Sequence, residues 1–229
     1  MKKIVLIFIL GLLSCNESEQ DNIKLLFKTE EKAIPSLKID DFKQGVYDLL
    51  EKKLNYNICN STEKFELLIS EYESLEASVK KNCPNKESFS IGCFRFPFRY
   101  FINKNGNIIY EGVYPKDINI IEKAIVYYEN EDPDFFKNSG VELEYSLLCP
   151  KDSLIKSIIN IKKGYLKVYH KYSERIFNKT INELNENELF ELKKQLKFKL
   201  RIKELQPDNF MIPPPPPPLP KTIDYSKKT

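Results

Sequence analysis

Phe94-Arg95-Phe96-Pro97-Phe98-Arg99-Tyr100-Phe101-Ile102 is the stretch on which the fold turns. Phe94, Phe96, Phe98, Tyr100 and Ile102 alternate with Arg95, Pro97 and Arg99. A period of two marks a strand with one buried face. Pro97 lacks an amide hydrogen, which confines it to a sheet edge or a strand's first residues. Lys104-Asn105-Gly106-Asn107 then supplies the Asn-Gly pair favoured in tight hairpins, and Ile108-Ile109-Tyr110 returns. Beyond it, Ile118, Ile121, Ile125 and Tyr128 share one face of a helix predicted over 117–128.

Further along, Ser157–Tyr169 reads as two strands turning at Lys163-Gly164. A helix is predicted over 186–205, with Leu189, Leu192, Leu196 and Leu200 as its stripe and Asn185 as its cap. On the N-terminal side, Phe42, Val46, Leu49, Leu50 and Leu54 predict a helix over 40–54, capped by Asp40. Phe65, Leu68, Tyr72, Leu75 and Val79 step by three and four, which predicts a second helix over 61–82. Its start, Asn60-Ser61-Thr62-Glu63, has the form of a capping box. The expected fold class is therefore α+β. A helical segment over 24–87, forming a hairpin, precedes an α+β domain over 88–205 made of two β-hairpin-plus-helix units. Its sheet is expected to be antiparallel and covered by helices.

The first residues have a different character. Met1-Lys2-Lys3 is basic, and Ile4–Leu13 carries no charge. Ten helical residues rise only about 15 Å, half the hydrocarbon core of a bilayer, so this is the layout of a signal peptide over 1–14. Leu12-Leu13-Ser14-Cys15 resembles the bacterial lipobox. That resemblance implies cleavage before Cys15 and acylation of that residue, and several acyl chains anchor stably where one is marginal. Residues 15–23 are polar and acidic and read as a flexible tether. By resemblance to lipoprotein sorting rules, Asn16 is not the inner-membrane retention aspartate, which favours the outer membrane of a cell envelope.

Cleavage leaves 215 of the 229 residues and lowers the formal charge from +3 to about +1. That near-neutral balance gives no case for nucleic acid. Cys59, Cys83, Cys93 and Cys149 remain as disulfide candidates for an oxidising compartment. A 61–82 helix would be about 30 Å long and would hold Cys59 and Cys83 apart, beyond the reach of a bond. The expected pairing is therefore Cys83–Cys93 with Cys59–Cys149.

No catalytic residue, metal site or cofactor is expected. His170, the single histidine, follows a predicted strand without a nucleophile motif beside it. Glu129, Glu131, Asp132 and Asp134 match no calcium-loop spacing and read as a solvated loop. Arg95 and Arg99 oppose the aromatics across their strand and are candidates for partner binding. So are Pro213, Pro214, Pro215, Pro216, Pro217 and Pro218, a polyproline II segment within a disordered tail over 206–229.

Tyr100–Gly112 with the helix after it resembles the periplasmic domain of the ExbD/TolR biopolymer-transport proteins, and the likeness extends over 98–205. It implies a partner-binding envelope domain linked to biopolymer transport. Those proteins have a transmembrane helix bearing an aspartate where this chain has a leader, so no motor residue carries over. Pro97–Gly112 also resembles the late part of a thioredoxin-like fold, but none of the cysteines forms the Cys-x-x-Cys pair that redox chemistry there needs. The reading is a membrane-anchored, non-catalytic lipoprotein that binds or scaffolds envelope proteins. Its rivals are a degenerate thioredoxin-like module and an envelope hydrolase using carboxylates.

Overall fold

The computed structural model describes residues 21–28, 34–71, 73–81, 83, 98–110, 120–131 and 140–205. The signal peptide, Cys15, Cys93, Arg95, Pro97 and the 206–229 tail with its proline run lie outside the described residues.

Among the described residues seven strands form one mixed sheet: β1 (Ser36–Lys38), β2 (Thr62–Leu68), β3 (Ser74–Lys80), β4 (Phe98–Ile102), β5 (Ile108–Tyr110), β6 (Val141–Ser146) and β7 (Leu200–Leu205). Their order across the sheet is β1-β2-β3-β7-β6-β4-β5. The helices are α1 (21–27), α2 (Val46–Leu54), α3 (Ile120–Glu131), α4 (Lys151–Phe177) and α5 (Glu186–Gln195), with a 3-10 turn at Ile39–Gln44. This is the expected α+β class, but the sheet is not antiparallel. Only β2–β3 and β4–β5 pair that way, while β1–β2, β3–β7, β4–β6 and β6–β7 are parallel.

The parallel pairs explain where the helices sit. β4 leads to β6 through α3, and β6 leads to β7 through α4 and α5. β1 leads to β2 through α2, moving the opposite way across the sheet along strands of opposite direction. Right-handed crossovers therefore put all these helices on the same face. Residues in register on parallel strands point to the same side. Tyr100, Leu143 and Ile202 align on the covered face with Val79, and Phe65, Leu67, Leu75 and Ala77 continue it, all buried.

The β4–β5 hairpin matches the sequence reading. Its turn closes at Gly106, whose φ of 79° is open to glycine but strained for other residues. Tyr100 and Ile102 are buried and Arg99 is exposed, as the alternation predicts. β4 is not an edge strand, since β5 and β6 flank it.

Three elements differ from expectation. Residues 61–82 are not a helix. β2 and β3 pair antiparallel with Phe65 opposite Ala77 and Leu67 opposite Leu75. The segment with apolar positions stepping by three and four also contains the odd-numbered run Phe65, Leu67, Leu75, Ala77 and Val79, and burial on the sheet selects that period. The 24–87 segment is thus not helical throughout, and β3 pairs with β7, so one sheet spans both predicted domains.

Residues 157–169 are not two strands either. They lie inside α4, whose stripe Leu154, Ile158, Ile161, Tyr165, Val168 and Tyr172 is buried. Gly164 marks a close approach of helices rather than a turn, since a Cβ there would sit 2.8 Å from Ile125 Cδ1 of α3. His170 is in this helix, not at a strand end.

The predicted 186–205 helix stops at Gln195, and the chain continues as β7 with Leu200 and Ile202 inward. Its cap is as expected. The Glu188 amide donates to Asn185 Oδ1 at 3.0 Å, and the Asn185 amide donates to Glu188 Oε2 at 2.9 Å. Replacing Asn185 with Ala is expected to lower stability by about 1 kcal/mol, read from the urea midpoint, while Asn185→Asp retains most of it. Asp40 does not cap the 40–54 segment. A 3-10 turn opens that segment, and α2 begins after Gly45.

The tether gives way before residue 23, because 21–27 is helical and docked. Phe27 is 1% exposed and meets Tyr169 and Phe198 edge-on, with ring centroids at 5.7 and 5.0 Å. Asn22 Nδ2 donates to the carbonyls of Ile181 and Leu184, and Lys193 Nζ donates to the carbonyls of Leu25 and Lys28 at the helix's far end.

Candidate functional site

The sheet face opposite the core carries charge in registered rows. Arg99, Glu142 and Arg201 align across β4, β6 and β7, and Ser78 of β3 extends that row. Glu142 Oε1 lies 3.3 Å from Arg99 Nε, and its Oε2 lies 3.5 Å from Arg201 Nη1. The next row places Lys203 Nζ 2.7 Å from Glu144 Oε1. On β2 and β3, Lys64 meets Glu76 at 3.6 Å, and Glu66 accepts hydrogen bonds from Ser36 and Ser74 at 2.8 Å each.

Period two creates these rows. In Val141-Glu142-Leu143-Glu144-Tyr145 and Leu200-Arg201-Ile202-Lys203, every second residue is apolar. The same signal that places Arg99 would have found Glu142, Glu144, Arg201 and Lys203, had 200–205 not been assigned to a helix. Glu142 is nearly buried, whereas the Arg99 side chain is 72% exposed. Arg99 is therefore the accessible member of the triad, and Glu142 fixes its direction.

A second polar cluster has a structural purpose. The Glu204 carboxylate accepts the Tyr47 amide at 3.2 Å and so caps the start of α2. Burial raises the Glu204 pKa above the ordinary carboxylate range, and the Tyr47 amide opposes that rise. Burial also raises the phenols of Tyr47 and Tyr145, and the Glu204 charge adds to both. A Cβ at Gly45 would sit 3.0 Å from Glu204 Oε2, and Gly45 adopts φ 89°, so glycine serves both needs.

The hydrolase reading calls for two carboxylates of raised pKa in one cleft. Glu204 is buried against α2 instead. A cleft of about 440 Å³ between α1 and the β2–β3 turn holds Asp21, Glu66, Glu71 and Glu73. Asp21 pairs with Lys24 there, Glu66 is held by two serines, and Glu73 pairs with Lys162. Among the described residues no group of three or more metal-ligating side chains assembles, and no helix is long and apolar enough to cross a membrane.

The cysteines pair differently from expectation. Cys59 and Cys83 form a disulfide with Cα atoms 5.5 Å apart. The β2–β3 hairpin, replacing the expected helix, brings its two ends together. Cys149 is a free, buried thiol, which rules out Cys59–Cys149 and, with Cys83 occupied, Cys83–Cys93 as well.

Burial pushes the Cys149 pKa up from 9.0 to about 11. The unfolded chain releases this proton near pH 9 and the folded chain does not. The thiol's contribution to stability is therefore intact below about pH 9 and is lost as pH rises toward 11. Iodoacetamide at pH 8 is expected to leave Cys149 unmodified in the native protein and to alkylate it in denaturant, as read by peptide mass mapping.

No protein-family model, no curated protein and no solved structure matches the chain.

Proposed function

We propose that the chain is an exported lipoprotein, anchored through Cys15 to a cell-envelope membrane, whose domain binds envelope proteins rather than turning over a substrate. The observation that carries this reading is the Cys59–Cys83 disulfide in a chain that opens with a basic, then apolar, leader. Structural disulfides persist in oxidising compartments, and the leader supplies the route to one. Asn16 after the acylated cysteine favours the outer membrane.

The polar sheet face supports the partner-binding part. Its buried carboxylate holds an exposed arginine in a fixed direction, an arrangement suited to bidentate recognition of a carboxylate on a partner. Strand addition at Tyr100–Ile102 is not the means, because β5 and β6 pair with those residues on both sides. For the ExbD/TolR-like form, the strand–turn–strand–helix order of β4, β5 and α3 is in favour. Residues 155–205 are not, being helix, helix and strand where some members have a second strand-and-helix unit.

The test is crosslinking in the native envelope followed by pull-down, with intact mass of the purified protein. Acylated Cys15 and a partner lost on Arg99→Glu are the expected results. Recovery of transport-complex components would single out the ExbD/TolR-like form. An intact leader would refute the proposal.

A further inference from the structure

Leu25 and Phe190 are half exposed, at 49% and 53%. They border a groove of about 290 Å³ between α1 and α5, with Leu26 and Leu189 in its floor. Lys28 and Lys193 line it against one acid, Glu186, and Lys24 lies one turn away on α1. Lys193 is held by the Leu25 and Lys28 carbonyls and Lys24 by Asp21. The exposed apolar pair Leu25 and Phe190 is therefore the main element by which this surface would settle into a phospholipid interface.

The length of the chain limits which surfaces can meet the bilayer to those around α1. Cys15 is six residues before α1 begins, and six extended residues span at most about 20 Å. α1 is locked onto the domain by Phe27, Asn22 and Lys193, so this tether ends on a rigid body. Whatever surface surrounds α1 must stay within that distance of the acyl chains.

We infer that the α1/α5 face is a membrane-docking surface, with Leu25 and Phe190 entering the interface of the phospholipid layer that holds the anchor. This inference rests on the lipoprotein reading above. It has a directional consequence. α1 packs on Phe198, just before β7 begins, whereas β7 ends at Leu205. The Leu205 end of β7 thus lies at the end of the sheet away from the membrane.

The absence of tryptophan from the chain gives a background-free probe. Lipidated full-length protein carrying Phe190→Trp is placed in vesicles of phosphatidylethanolamine and phosphatidylglycerol, with and without brominated acyl chains. Lys104→Trp, in the β4–β5 turn at the opposite end of the sheet, is the control. The expected result is a blue shift and bromine quenching at position 190, neither at 104, and loss of both effects when Leu25→Glu is added.

Equal emission at 190 with and without bromine, in protein whose mass shows acylated Cys15, would overturn the docking surface and leave the anchor standing. Unacylated Cys15 would remove both. A blue shift that grows with protein density and ignores bromine would assign the face to a second copy of the chain and also overturn the proposal. Circular dichroism of each variant establishes that the fold is retained.

Discussion

Replacing Cys59 and Cys83 together with serine lowers the unfolding free energy by about 3 kcal/mol. The bond closes a loop of 24 residues in sequence, and the chain-entropy model gives roughly that stabilisation for a loop of this length. For a domain of this size the melting midpoint should fall by about 6–12 °C. The loss is expected to arise in the unfolded state, since the hairpin has contacts of its own besides the bond. Asn60 donates its amide to the Lys81 carbonyl, and Phe65, Leu67, Leu75 and Val79 face the core. The reduced wild-type protein should therefore match the double serine variant. Peptide mapping without reductant should recover residues 59 and 83 linked. A peptide joining 59 to 149 would contradict the Cys59–Cys83 pairing.

Phe27→Ala should cost about 3–4 kcal/mol, in the range for deleting a buried phenylalanine. Its ring fills the space between Tyr169 of α4 and Phe198, and the two edge-to-face contacts contribute about 0.5–1.5 kcal/mol each beyond burial. The Lys162 ammonium also lies over the ring, 5.3 Å from its centroid. Two readouts separate global from local effects. A lowered denaturation midpoint reports the core, and loss of amide-exchange protection confined to 21–28 reports undocking of α1. If both stay at wild-type values, α1 is not part of the packed domain, and the rigid base of the docking surface goes with it.

Much of the fold was legible where local chemistry and burial agree. Asn185 and Glu188 cap α5 because their side chains satisfy amides three residues away, which needs nothing distant. Asn105-Gly106 turns β4 into β5 for the same reason. Ile121 and Ile125 share the face of α3 that the periodicity assigned. The alternation around Arg99 and Tyr100 correctly predicted which side of the strand is wet.

The candidate site was legible only in part. Arg99 was visible, but its partners Glu142 and Arg201 lie 43 and 102 positions further along the chain, and only parallel pairing aligns them.

Sequence by itself determined some local choices: the Asn185–Glu188 cap, the tight turn, and a helix predicted over 117–128 that the structure places at Ile120–Glu131. Tertiary structure decided every position where two periods fit the same residues. Phe65, Leu75 and Val79 fit a helical stripe as well as a strand, and Lys163-Gly164 fits a turn as well as a helix crossing. In each case the free energy that separates the alternatives comes from burial against partners far along the chain: β7 beside β3, and Ile125 against Gly164. A window of twenty residues does not contain those partners, so it could not contain the answer.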